Sequence, residues 1–357
     1  MEVVANPLKA RGLPSLEGLA DGAVQTDARA ATALYSHCPA RDVTQVREIK
    51  PLAQSAGVAR LWLKMESQRM GLGSFKALGA AHAIAKAAAK RASVNDPQAM
   101  AQALAGETYI CASAGNHGLS VAAGARLFGA RAVVVLSETV PEGFADRLRE
   151  KEAEVIRSGA DYAASMEASR QMAGDRGWNL LSDGSWLDYW EPARDVMEGY
   201  LIIGEEVADQ LEVAPTHVFV QAGVGGLAAA CAVTARKHWG ESVIVAVVEP
   251  DAAPALMESV KCGKCVDTTG PVSSMGRLDC KTPSHLALKY LAKEADYFIT
   301  ISDAMVEGTV TELALHGVAT TPSGAAGIAA LLNLPSGPDL QLNQQSRVLC
   351  FVSEGNT

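Results

Sequence analysis

The chain has 357 residues, 48% hydrophobic and 20% charged, with a formal net charge of -9 and a pI near 5.4. Such a composition suits a compact protein with a substantial core, either one large α/β unit or two ordinary domains, and excludes long disorder and the basic footprint that nucleic acid or an anionic membrane requires. The apolar runs Ala132 to Leu136 and Val243 to Val248 are too short to span a bilayer and Met1 to Gly22 lacks a signal-peptide core, so the expectation is a cytoplasmic protein acting on small molecules, with no nucleic acid and no membrane.

In chain order, β-rich runs alternate with helical stretches. Ala59 to Met65 reads as a strand, Ser74 to Ala92 as an alanine-rich helix, Thr108 to Ala112 as a strand and Gly118 to Phe128 as a helix. Ala132 to Leu136 follows as a strand and Gly143 to Ser158 as a helix with a charged face. The rhythm continues with the strand Asn179 to Ser182, the helix Met197 to Leu211, the strand His217 to Gln221, the helix Leu227 to Lys237 and the strands Ser242 to Glu249, Tyr297 to Ile301 and Val348 to Ser353. The strands lack in-out alternation, which predicts mostly parallel sheets covered by helices on both faces, an α/β fold with two sheets. A polar stretch from Arg91 to Gly106 and an irregular acidic and aromatic one from Asp183 to Glu191 predict two lobes. The larger takes residues 1–106 and 180–357, and a smaller inserted α/β domain takes 107–179. Ligands of such sheets bind beyond the carboxyl ends of the strands, so a cleft between lobes is the expected site.

Seven scattered cysteines, an odd number, predict reduced thiols. Cys262-Gly263-Lys264-Cys265 has the spacing of half a zinc site, but no second pair accompanies it; a surface turn is the simpler reading and no metal centre is predicted.

Lys76 is the informative residue. Its helical neighbours are Leu72, Gly73, Gly79, Ala80 and Ala83, so no carboxylate sits at the spacing that would pair with it. A lysine set against small apolar groups is desolvated, its pKa falls, and its amine becomes a nucleophile toward a carbonyl. The alternative is a first-turn lysine that snorkels to water.

After the strand ending at Ala112 comes Ser113-Ala114-Gly115-Asn116-His117-Gly118, a strand-to-helix turn whose backbone N–H groups suit a substrate carboxylate, or which merely caps its helix. After Gln221 comes Ala222-Gly223-Val224-Gly225-Gly226-Leu227, again opening a helix, where glycines let several amides approach a phosphate. No GK[ST] follows, so this is not a Walker loop, and the third glycine of the dinucleotide fingerprint is missing, although Glu249 lies near the place of its acidic residue. Finally, Val348 to Val352 reads as a buried strand emerging at Ser353, whose hydroxyl either starts a turn or bonds a ring nitrogen.

In this order, the lysine, the carboxylate turn, the glycine loop and the terminal serine resemble the fold type II pyridoxal-phosphate enzymes, the threonine and serine dehydratase group, and most closely the diaminopropionate ammonia-lyases. The resemblance covers about Thr26 to Thr357 and also rests on Trp62 to Ser67, Gly159 to Tyr162, Ser182 to Trp186 and Met197 to Tyr200. It implies a two-lobed fold, pyridoxal 5'-phosphate as cofactor, and α,β-elimination of a 3-substituted amino acid to a 2-oxo acid and ammonia, by a homodimer. Lys76 would hold the cofactor and shuttle protons, Asn116 would bond the ring hydroxyl, and Gly223, Val224, Gly225, Gly226 and Leu227 would cradle the phosphate. Ser353 would face the pyridine nitrogen, the turn Ser113, Ala114, Gly115, Asn116, His117 would grip the substrate carboxylate, and Asp183 would assist the departing β-substituent.

Two departures stand out. The ammonia-lyase pattern reads Asp-Gly-Asn-His where this chain has Ala114-Gly115-Asn116-His117, and an alanine cannot move a proton, which leaves Lys76 as the α-proton base and brings the turn closer to that of serine and threonine dehydratases. Met65 stands where an aspartate is usual. An amine leaving group points to 2,3-diaminopropionate, a hydroxyl to serine, threonine, hydroxyaspartate or phenylserine, and the aromatics Trp186, Tyr189 and Trp190 either admit a bulky substituent or pack their segment. Rival readings are a β-replacement synthase, a nicotinamide-dependent dehydrogenase built on Gly223 to Gly226, and a metal-binding scaffold centred on Cys262 and Cys265.

Overall fold

A computed structural model describes residues 1–14, 16, 19, 26–113, 115–335 and 340–356. Its strands, in chain order, are β1 (Glu2–Ala5), β2 (Val46–Glu48), β3 (Arg60–Met65), β4 (Thr108–Ala112), β5 (Arg131–Leu136), β6 (Glu154–Arg157), β7 (Asn179–Leu180), β8 (His217–Gln221), β9 (Ile244–Pro250), β10 (Tyr297–Ile301) and β11 (Arg347–Val352). They form two sheets, one of seven strands in the order β1-β10-β9-β8-β11-β3-β2 and one of four in the order β6-β5-β4-β7. The four-stranded sheet is parallel throughout, and the larger sheet is parallel except for its two edge strands, β1 and β2.

The apolar runs follow from this layering. Successive strand side chains point to opposite faces, so Val218, Val220, Leu349 and Phe351 enter one core while Phe219, Val348, Cys350 and Val352 enter another on the far side of the same sheet. With water absent from either face, neither face needs polar residues, and alternation disappears. In the smaller sheet Cys111, Val134 and Leu136 join the first core, while Ile110, Val133 and Val135 pack against Ala173.

The helix carrying the informative lysine, Lys76–Ala89, packs against Asn116–Leu127 and Glu191–Gln210. Small residues permit that closeness. A Cβ on Gly199 would lie 2.3 Å from the Leu78 carbonyl oxygen, and one on Gly79 would lie 2.6 Å from the Tyr200 ring.

The stretch read as one helix from Gly143 to Ser158 is a helix over Glu142–Arg149 followed by β6. The helix stops at Arg149, Glu152 takes a positive φ of 65°, and Val155 and Ile156 pair with β5. The helix Tyr162–Arg176 was not anticipated; Asp161 caps it by accepting from the Ala164 amide. Among the described residues no helix is long and apolar enough to cross a membrane. Cys262 is exposed at the end of the helix Ala255–Cys262, followed by Gly263 at φ 66°.

Candidate active site

The carboxyl ends of β4, β7, β8 and β11 lead into the Ser113 turn, the Asp183 segment, the glycine loop and Ser353, and all four border one cavity of about 340 Å³. Lys76, Ser113, Gly115, Asn116, His117, Asp183, Gly223, Val224, Gly225, Gly226, Leu227 and Ser353 all line it. Ala114 lies outside the described residues. Sequence positions up to 277 apart thus share one wall, because parallel strands deliver every one of their following loops to the same side.

Lys76 occupies the first residue of its helix, and its amine is paired with the Asp183 carboxylate. Both side chains are mostly buried, 17% and 13% exposed. The expected fall in the lysine pKa is therefore reversed. Burial pushes it down, but the Asp183 carboxylate outweighs burial and holds the amine protonated. Asp183 shows the converse: burial pushes its carboxyl up, while the Lys76 ammonium holds it below the usual carboxylate range. The sequence window around Lys76 could not show this partner, which lies 107 residues away.

The Ser113 hydroxyl accepts from the Gly115 amide at 3.2 Å and the Gly118 amide at 3.0 Å, which fixes the shape of the turn. His117 is fully enclosed and holds the Leu181 carbonyl through Nε2 at 2.8 Å; burial pushes its pKa down, so it is neutral and donates that bond. Its side chain therefore ties the turn to the segment bearing Asp183. His217 is likewise structural, bridging Thr216 and the Leu340 carbonyl.

Sequence reasoning passed over three groups on this wall. Glu354 accepts from Asn116 Nδ2 at 2.6 Å and from the Thr321 hydroxyl, so a carboxylate orients the one side-chain amide of the turn. Its position beside Ser353 was visible; its partner, 238 residues upstream, was not. Gln221 Nε2 donates to Ser353 Oγ at 2.9 Å and to the Phe351 and Gly324 carbonyls, which leaves the Ser353 hydroxyl its own proton to donate. Cys280 faces Gly223, and burial pushes its thiol up to about 12, so it is no thiolate nucleophile.

A phosphorylated pyridine ring fits this donor set. Gly225, at φ 103°, turns the chain into the helix Gly226–Trp239, whose first amides have no intrahelical acceptor and carry the positive end of the helix dipole. A Cβ on Gly223 would come within 3.0 Å of both the Arg277 carbonyl oxygen and Cys280 Sγ, so the loop has no room for a side chain. Ser353 supplies a neutral hydroxyl donor for a ring nitrogen, Asn116 an amide for a ring hydroxyl, and Lys76 an amine for an aldehyde.

Glu249 does not serve the nicotinamide reading. It is completely buried and accepts from the Leu256 and Met257 amides at 2.8 Å each, while burial pushes its carboxyl up to about 8; it does not line the cavity. Trp186 and Tyr189 stack on each other with centroids 4.3 Å apart, and Tyr189 bonds the Leu180 carbonyl and the Ser182 amide, so these aromatics pack the segment beside Asp183.

Known proteins agree with the geometry. Diaminopropionate ammonia-lyase of Salmonella typhimurium is 28% identical over 91% of this chain and 88% of its own length. The catabolic L-threonine dehydratase of Staphylococcus aureus is 28% identical over 85% of this chain and 81% of its own. The crystal structure of Escherichia coli diaminopropionate ammonia-lyase with an aminoacrylate-PLP azomethine reaction intermediate superposes with a TM-score of 0.88 at 26% identity, covering 99% of this chain and 94% of that one. Residues 38–354, which contain every lining group discussed above, match the pyridoxal-phosphate dependent enzymes, and the chain belongs to that family.

Proposed function

We propose that the chain catalyses α,β-elimination from a 3-substituted 2-amino acid whose leaving group is an amine or a hydroxyl, giving a 2-oxo acid and ammonia. The observation that carries this reading is the buried ion pair of Lys76 and Asp183, set in one cavity with a glycine loop and a second strand-to-helix turn whose amides suit anions. Bound pyridoxal phosphate supplies the electron withdrawal that loosens the α-proton and lets the β-substituent leave.

The residues divide the remaining work. The amides of Gly223 to Leu227 and the helix dipole hold a phosphate, Ser353 donates to the ring nitrogen with Gln221 fixing its orientation, and Asn116, aligned by Glu354, meets the ring hydroxyl. The Ser113–His117 turn holds the substrate carboxylate and so aims the α-proton at Lys76. A protonated amine has no lone pair, so Lys76 acts as a base only after its proton has moved to Asp183. That transfer leaves Asp183 as an acid beside the β-substituent, and the two roles come from a single proton.

On this reading residues 107–179, set off by the polar stretch Arg91 to Gly106, form the smaller lobe, the enzyme works in the cytoplasm, and, as the sequence resemblance implies, it is a homodimer. The test of the reaction is an assay for 2-oxo acid with 2,3-diaminopropionate, serine, threonine, 3-hydroxyaspartate and phenylserine, each as both stereoisomers. At least one is expected to release stoichiometric ammonia and 2-oxo acid, with one configuration at Cα strongly preferred because Ala114 offers no second base. Formation of a new amino acid from an added thiol, without keto acid, would replace elimination by β-replacement.

A further inference from the structure

One cation in the cavity has no task in the scheme above. Arg277 lines the cavity with its main chain against the glycine loop, where a Cβ on Gly223 would lie 3.0 Å from its carbonyl oxygen, and its side chain is 31% exposed. Its guanidinium lies against the carboxylate turn: a Cβ on Gly115 would sit 3.1 Å from Nε and 3.2 Å from Cζ. Cζ stands 4.9 Å from the Phe144 ring centroid, so the planar group has an aromatic neighbour. The main chain is pinned by the Arg277 amide, which donates to Ser323 Oγ at 3.0 Å. The nearest carboxylate, Glu354, is 3.9 Å from Nε and already accepts from Asn116 and Thr321. Among the described residues, Nη1 and Nη2 donate to nothing.

Of the other charges lining the cavity, Glu354 has the neutral donors Asn116 and Thr321, and two more are paired with opposite charges. Lys76 is taken by Asp183, and Asp279 by Lys281. A guanidinium with two free parallel donors is shaped for a carboxylate, and the α-carboxylate already has the Ser113–His117 turn. We propose that Arg277 binds a second carboxylate, carried on Cβ, and so selects 3-hydroxyaspartate-type substrates over serine and over the β-ammonium of diaminopropionate, which it repels. This rests on the elimination reading. With that substrate the Cα–H and Cβ–O bonds break, water leaves, and hydrolysis of the resulting enamine by water gives oxaloacetate and ammonia, with no oxidant or reductant.

The test compares wild-type holoenzyme with Arg277→Gln and Arg277→Lys on 3-hydroxyaspartate, serine and diaminopropionate, alongside equilibrium binding of aspartate and alanine, which have no β leaving group. The wild type is expected to favour 3-hydroxyaspartate. Arg277→Gln is expected to lower kcat/KM for it by about 100-fold, mainly through KM, to lower serine at least 10-fold less than that and to improve diaminopropionate, with Arg277→Lys intermediate. Equal losses on all substrates, or a wild type that prefers serine or diaminopropionate, would overturn the proposal. Should no substrate turn over, Arg277-dependent binding of aspartate but not alanine would uphold the second carboxylate site while ending the elimination reading; equal aspartate affinity in wild type and Arg277→Gln would end the proposal itself.

Discussion

Replacing Lys76 by alanine is expected to abolish turnover and, in the same protein, the violet-region absorbance of bound cofactor. Both losses come from one missing nitrogen, the only lysine amine among the described residues that line the cavity. The substitution also leaves Asp183 buried without its counter-charge, which costs on the order of 3 kcal/mol or shifts the carboxyl to its neutral form. The double variant Lys76→Ala, Asp183→Asn removes that complication. It is expected to unfold at a temperature close to wild type and still to lack colour and activity. Ordinary activity in a folded Lys76→Ala protein would refute the assignment.

Asp183→Asn is expected to separate the two functions that Lys76→Ala removes together. The amine remains, so the absorbance band should persist, while kcat falls by about 10² to 10³-fold for want of a leaving-group acid. The pH behaviour should change as well. In the wild type, Lys76 is raised above its ordinary 10.5, and its contribution to stability is present below that value and lost as pH climbs through the raised one. Asp183 is lowered from 3.8, so its contribution is present above that value and lost as pH falls through the lowered one. Between these limits the stability difference between wild type and Asp183→Asn should be flat, roughly from pH 5 to 9. With the carboxylate gone, burial alone acts on Lys76 and its pKa drops, so the variant should take up added cofactor at a lower pH than the wild type, followed by the growth of absorbance on reconstitution. An unchanged kcat would remove Asp183 from the mechanism.

The sequence spoke clearly where one physical rule governed a short window. Val133 to Val135 and Val245 to Val248 are strands buried on both faces, and a run of branched apolar residues between turns has few other uses. The glycine loop and the Ser113 turn were legible because a turn that opens a helix after a strand is a local structure. Elements lacking a local signature escaped. β6 is a half-buried edge strand preceded by Glu150-Lys151-Glu152, which reads as the charged face of a helix. The helix Tyr162–Arg176 buries only Ser165, Ser169 and Ala173, so it has no apolar stripe to detect. β1 gains its structure from antiparallel pairing with β10, nearly 300 residues later.

The same limit applied to the site. Residue types and their order pointed to residues that line one cavity, but electrostatics depends on distance in space. Lys76 looked unpaired because its helical neighbours are small, and the fold then supplied Asp183 and reversed the direction of its pKa shift. Glu354 and Gln221 were visible as polar residues at strand ends; that Gln221 orients Ser353 follows only from β8 and β11 lying side by side, and that Glu354 orients Asn116 only from loops of the two sheets meeting at one cavity.

The central claim, that Lys76 is the residue joined to the cofactor, is most directly tested by treating the holoenzyme with borohydride and mapping its peptides by mass. The peptide containing Lys76 is expected to gain one phosphopyridoxyl group, stoichiometrically and together with loss of colour. A phosphopyridoxyl group found on another lysine, or on none, would contradict the account.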